Sequence, residues 1–189
     1  MQRRILSAGL VAGLVVVLAP ASGARSTVKC KVGHAGWPAS CVDRVGDVEG
    51  GPGPDITRVR EFEWGYIGFE VTFAEASPLA QSATFTDTVA VAMSARGQTT
   101  RRYVLSFSTS DPRHAVLRRL PNGTPVVVPA GRMSRRTMVI GVDLDRIGNP
   151  GIVTFRVKAA RHMLDGRPGG TDYTPDTGTM KWTSWVPAH

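Results

Sequence analysis

The stretch 66–73, Tyr-Ile-Gly-Phe-Glu-Val-Thr-Phe, decides the fold. Ile67, Phe69, Val71 and Phe73 fall on one face of an extended chain, and Gly68, Glu70 and Thr72 on the other. Side chains alternate across a strand, so a period of two predicts a half-buried β-strand. The pattern recurs downstream. Residues 87–95 alternate Val89, Val91 and Met93 with Ala90, Ala92 and Ser94, small residues that suit a strand covered on both faces. Tyr103, Leu105 and Phe107 alternate with Val104, Ser106 and Ser108, and Met138, Ile140 and Val142 share one face of the next candidate. Val153, Phe155, Val157 and Ala159 alternate with Thr154, Arg156 and Lys158. In a last short strand Trp182 and Val186 share the core face, and Lys181, Thr183 and Trp185 the outer one.

Two segments admit a helix. Asp111-Pro112 caps a possible helix through Val116, Leu117 and Leu120, stopped by Pro121. Against it stands Pro121-Asn122-Gly123, a turn signal followed by the β-branched run Val126-Val127-Val128. We read a hairpin, 114–120 with 124–128. Ile56, Val59 and Phe62 are spaced by three, as in a helix, but Trp64-Gly65-Tyr66 turns straight into the next strand, so 55–63 is read as strand too. The total is about nine strands and no long helix. With 21 Gly and 13 Pro among 189 residues, a helical bundle is excluded. The expected fold is all-β, a single antiparallel β-sandwich over 43–189.

The first residues read as an address. Arg3-Arg4, an apolar run over 5–19, Pro20 and the small residues Ala21-Ser22-Gly23-Ala24 make a secretory signal peptide, 1–24, cleaved after Ala24. The run is shorter than the roughly 20 residues that span a bilayer, so no stable membrane span is expected in the mature form. Cleavage removes two Arg, leaving 21 basic and 15 acidic residues, a net charge of +6. A positive exported domain is drawn to anionic walls, polysaccharides or lipid head groups. No recognition motif accompanies the charge, so nucleic acid is not expected. Cys30 and Cys41 are the only cysteines, and in a secreted chain an even pair reads as a disulfide. It closes an N-terminal loop or short hairpin within 25–42.

Two acidic, turn-rich segments frame the strands. At the front Asp43-Arg44-Val45-Gly46-Asp47 is followed by a Gly/Pro loop and Pro54-Asp55-Ile56-Thr57-Arg58-Val59. At the back stand Asp172-Tyr173-Thr174-Pro175-Asp176-Thr177-Gly178 and then Trp182. This order resembles a group of exported bacterial β-sandwich domains, which by architecture look like DOMON-type domains and family 9 carbohydrate-binding modules. The resemblance covers residues 43–186. It implies a binding or structural domain without catalysis. It departs from the pattern at Ala95-Arg96-Gly97-Gln98, where relatives often carry an Asp-rich turn.

Hard cations take several oxygen ligands. Asp43, Asp47 and Asp55 with Asp172 and Asp176 form a Ca²⁺ site if the two segments meet at one end of the sandwich; otherwise they cap turns. Lys181, Thr183 and Trp185 make a mixed aromatic and polar surface suited to a sugar ring. The adjacent His162 and Met163 point to opposite faces of a strand, so they cannot jointly ligate a haem. No nucleophile elbow or phosphate loop is present, and a catalytic set is not expected. A glycosidase would need a carboxylate pair, for example Glu70 with Glu61 or Asp143, although Glu on strands reads first as solvent face. The function expected is a secreted, non-catalytic binding or interaction module, for carbohydrate in its sharpest form. The alternatives are an extracellular glycan hydrolase and a purely structural envelope protein.

Overall fold

The structure is a computed structural model, which describes residues 29–34, 36–63, 65–75, 79, 82–96, 99–129, 131, 134 and 136–183. The signal segment and Trp185 lie outside these residues.

Two sheets pack face to face. The smaller runs in the order β1 (Lys29–Lys31), β3 (Ser40–Val42), β4 (Ile56–Glu63), β5 (Tyr66–Phe73) and β10 (Thr137–Asp143). The larger runs β2 (Gly33–His34), β13 (Met180–Thr183), β11 (Ile152–Met163), β6 (Phe85–Arg96), β7 (Thr100–Ser108), β8 (Asp111–Leu120) and β9 (Val126–Pro129). A further strand, β12 (Thr171–Thr174), pairs with the far half of β11. Every described pairing is antiparallel except β13 with β2. This is the expected all-β sandwich, and its nine predicted strands are all present, the last described as far as Thr183. One 3-10 turn, Leu144–Ile147, is the helical element among the described residues.

The period of two places the core. Ile67, Phe69, Val71 and Phe73 meet Val89, Val91, Leu105, Phe155 and Val157 between the sheets, all with almost no exposed surface. The Phe69 and Phe155 rings meet edge to face at 4.9 Å between centroids, a favoured aromatic geometry. Trp182 is 1% exposed and lies in this core, as its register with Met180 requires.

Three expectations need correction. The count of nine omits β1, β2, β3 and β12, each four residues or fewer and too short to show a period. Asp172 sits on strand β12, not in a loop, because residues 171–174 fold back antiparallel on the far half of β11, the strand just before them in the chain. Strand β6 is covered on one face only, and Ala92 is exposed. The helix-like spacing of Ile56 and Val59 comes from a bulge between Ile56 and Arg58, where one extra residue flips the phase and buries both.

The Cys30–Cys41 disulfide is formed between directly paired residues of β1 and β3. The cysteine-closed segment is thus part of the sandwich, since β3 continues the ladder onto β4. A cross-link closing a loop of this size stabilises by roughly 2–3 kcal/mol through the unfolded chain. Replacing both cysteines by Ala should therefore lower stability by about that amount in a denaturant melt. An unchanged midpoint would show that the staple contributes nothing.

Candidate metal centre

Backbone contact brings the front and back segments together. Gly170 donates its N–H to the Pro52 carbonyl at 2.9 Å, and Glu49 and Thr171 exchange backbone bonds at 2.8 Å. A Cβ on Gly170 would stand 2.3 Å from the Gly51 oxygen, so only glycine permits this approach. The contact closes one end of the sandwich, with β4 supplied by one sheet and β12 by the other.

Five aspartates converge there. Carboxylate oxygens of Asp43, Asp47 and Asp176 lie within 4.8 Å of one another, and so do those of Asp47, Asp55 and Asp172. Asp47 belongs to both groups. Every aspartate singled out in the sequence is therefore in the cluster.

Three of the five carboxylates are partly engaged. Asp172 Oδ2 accepts the Ile56 N–H at 2.5 Å, tying β12 to the start of β4. Asp55 Oδ2 accepts the Gly46 N–H at 2.6 Å. Asp43 accepts from the Arg44 N–H at 2.9 Å and from the Thr174 hydroxyl. Two oxygens, Asp47 Oδ1 and Asp55 Oδ1, are buried with no hydrogen-bond partner. A buried acceptor without a donor is costly and calls for an explanation.

The electrostatics are unfavourable as they stand. Burial, assisted by the neighbouring Asp47 and Asp43 charges, pushes the Asp172 carboxyl up to about 7. Burial also raises Asp43 and Asp47, again with repulsion from other members of the cluster. Arg156 lies beside the group, but its guanidinium donates to the Pro175 carbonyl at 2.9 Å and to the Asp176 carbonyl. It also rests on the Tyr173 ring, 4.2 Å from the centroid. It thus positions the Asp176 turn through backbone oxygens. A cleft of about 280 Å³, lined by Asp47, Glu49, Asp172 and Asp176 with Arg156 and Tyr173, opens the cluster to solvent.

The other candidates are dispersed. Lys181 is exposed and Thr183 half-buried on the outer face of β13; Trp185, their expected companion, lies outside the described residues. The Glu61–Glu70 pair does not form. Glu70 stands opposite Arg60 on the outer face, whereas Glu61 stands opposite Phe69 and is wholly buried, contrary to its reading as solvent face. Asp143 shares a face with Glu70 but lies four residues along the ladder, roughly 13 Å away and beyond the spacing of glycosidase pairs. His162 Nε2 is hydrogen-bonded to the Thr88 hydroxyl at 2.9 Å, and His114 to Asp111 at 3.1 Å.

Glu61 is the residue that sequence reasoning missed. Its backbone N–H donates to the Ala39 carbonyl at 2.8 Å, and its Oε2 accepts the Ala39 N–H at 3.1 Å, so it holds the entry of β3 against β4. Its Oε1 is buried without a partner, and burial pushes the carboxyl up to about 7. The alternation of 59, 61 and 63 does carry the signal, once the bulge has set the phase.

The centre defines an all-β sandwich with an all-oxygen acidic cluster across one end. Compared with family models, curated proteins and solved structures, the chain matches none.

Proposed function

We propose that this chain is an exported, non-catalytic binding module whose sandwich is clamped at one end by Ca²⁺. The observation that carries the reading is the convergence of Asp43, Asp47, Asp55, Asp172 and Asp176, with two buried oxygens unpartnered. The donor set is all oxygen with no His or Cys, which suits a hard cation. The ligands come from both sheets, so an ion there ties the front turn to β12. The disulfide fits an oxidising compartment, and no helix among the described residues is long and apolar enough to cross a membrane. The resemblance to DOMON-type and family 9 carbohydrate-binding domains points the same way.

Calcium sites of extracellular modules bind with Kd of about 10⁻⁴–10⁻³ M. A ligand that binds only the folded state stabilises it by mass action. At 5 mM Ca²⁺ the gain should be roughly 1–2 kcal/mol, a rise in Tm of about 3–6 °C over chelator-treated protein. Asp47→Asn should remove most of that rise, because Asp47 serves both groups. An identical Tm with calcium and with chelator would leave the aspartates as turn caps.

A further inference from the structure

The outer face of the larger sheet has a charge pattern that neither the core nor the aspartate cluster explains. Its floor is the outward side of β6, Thr88, Ala90, Ala92 and Ser94, four short side chains in line. Cross-strand register places cations on both sides of that line. One row runs Lys181, Thr154, Ser94, Arg102, and the next Arg156, Ala92, Val104, Arg118. Lys158 faces Ala90 one step further on. Lys181, Arg102 and Arg118 are exposed, and so is Ala92.

Each row crosses three strand spacings, so the two lines of cations stand about 14 Å apart with the short floor between them. Long side chains beside short ones make a trough along β6. No Asp or Glu occupies an outward position on β11, β6, β7 or on β8 from His114 to Leu120. Elsewhere acids are close at hand. On the smaller sheet Arg60 faces Glu70, and at the 3-10 turn Arg146 is bonded to Asp143. In cross-strand register the cations of the trough have no such neighbours; of them Arg156 also holds the Asp176 turn through backbone carbonyls, beside the aspartate cluster.

We propose that this trough binds a linear anionic polysaccharide laid along β6. A chain bearing repeated carboxylate or sulfate groups meets cations on both flanks, and the Ser94 and Thr154 hydroxyls on the floor can hydrogen-bond its own hydroxyls. A membrane surface is served by apolar anchors beside cations. Here the floor is made of short side chains, two of them alanine, recessed between the flanks, and the exposed apolar residues Leu120 and Val127 lie off it on β8 and β9. The assignment rests on the reading of the chain as an exported binding module but not on its calcium site.

The test is binding of a fluorescent chondroitin sulfate oligosaccharide to the mature chain at 50 mM salt, with and without 5 mM Ca²⁺. Arg102→Gln/Arg118→Gln should weaken binding about tenfold, while Arg58→Gln/Arg167→Gln, with the same loss of charge elsewhere, should change it less than twofold. Ala92→Trp blocks the floor at constant charge and should also cost about tenfold. Thermal melts of each variant verify the fold. The loss should appear whether or not calcium is present, so a failed calcium site leaves this result standing. Equal losses in the two arginine pairs, an unaffected Ala92→Trp, or wild-type protein that binds phosphatidylglycerol vesicles but not the oligosaccharide would each overturn the proposal.

Discussion

Arg161→Ala is expected to destabilise the fold by roughly 3–5 kcal/mol, the cost of removing one partner from a buried ion pair. Asp87 faces inward on β6 and its side chain has no exposed surface, while Arg161 is its direct neighbour across the ladder on β11. The guanidinium binds both carboxylate oxygens, Nε to Oδ1 at 2.8 Å and Nη2 to Oδ2 at 2.9 Å, and stacks on the Phe85 ring at 4.0 Å. Without it the buried carboxylate loses both guanidinium bonds. Replacing both partners, Asp87→Leu with Arg161→Met, should recover most of the loss, because the cost lies in the stranded charge and not in the missing attraction. Chemical denaturation of the single and double variants measures this. A double variant as unstable as Arg161→Ala would show that the pair is needed for packing instead.

Glu61→Gln should make the protein more stable than wild type at pH 8 and about equally stable at pH 4. The folded-state value of the Glu61 carboxyl is about 7 against an ordinary value of 4.5. Between these pH values the folded chain holds a proton that the unfolded chain has released. Stability therefore falls as pH rises from about 4.5 to 7, and below that window the penalty is absent. Glutamine resembles the protonated form and still offers an oxygen to the Ala39 N–H. The difference between the two proteins should grow to roughly 3 kcal/mol above pH 7. Urea melts across this range are the measurement, and a difference that does not vary with pH would contradict the buried, proton-holding state.

The strands were legible wherever a sheet has one wet face, because alternation is then imposed on every residue. Stretch 66–73 and the run 153–159 are of this kind. Short ladders were not: β12 is four residues long, too short to show a period of its own. Residues 55–63 were legible as strand, but the phase of burial was hidden by the bulge, and with it the inward position of Glu61. The aspartates were legible as a conditional set. Their residue type and turn-rich setting named all five, and only the closure of the sandwich end brings them together. The cation trough was not legible as a unit, since its cations come from four strands, β13, β11, β7 and β8, that only the sheet order brings to either side of β6.

The most direct measurement is isothermal titration of Ca²⁺ into the chelator-treated mature chain. The account predicts at least one ion per chain, with Kd of about 10⁻⁴–10⁻³ M, and loss of that binding in Asp47→Asn/Asp172→Asn. Absence of binding at millimolar calcium, or binding that the double variant retains unchanged, would contradict it.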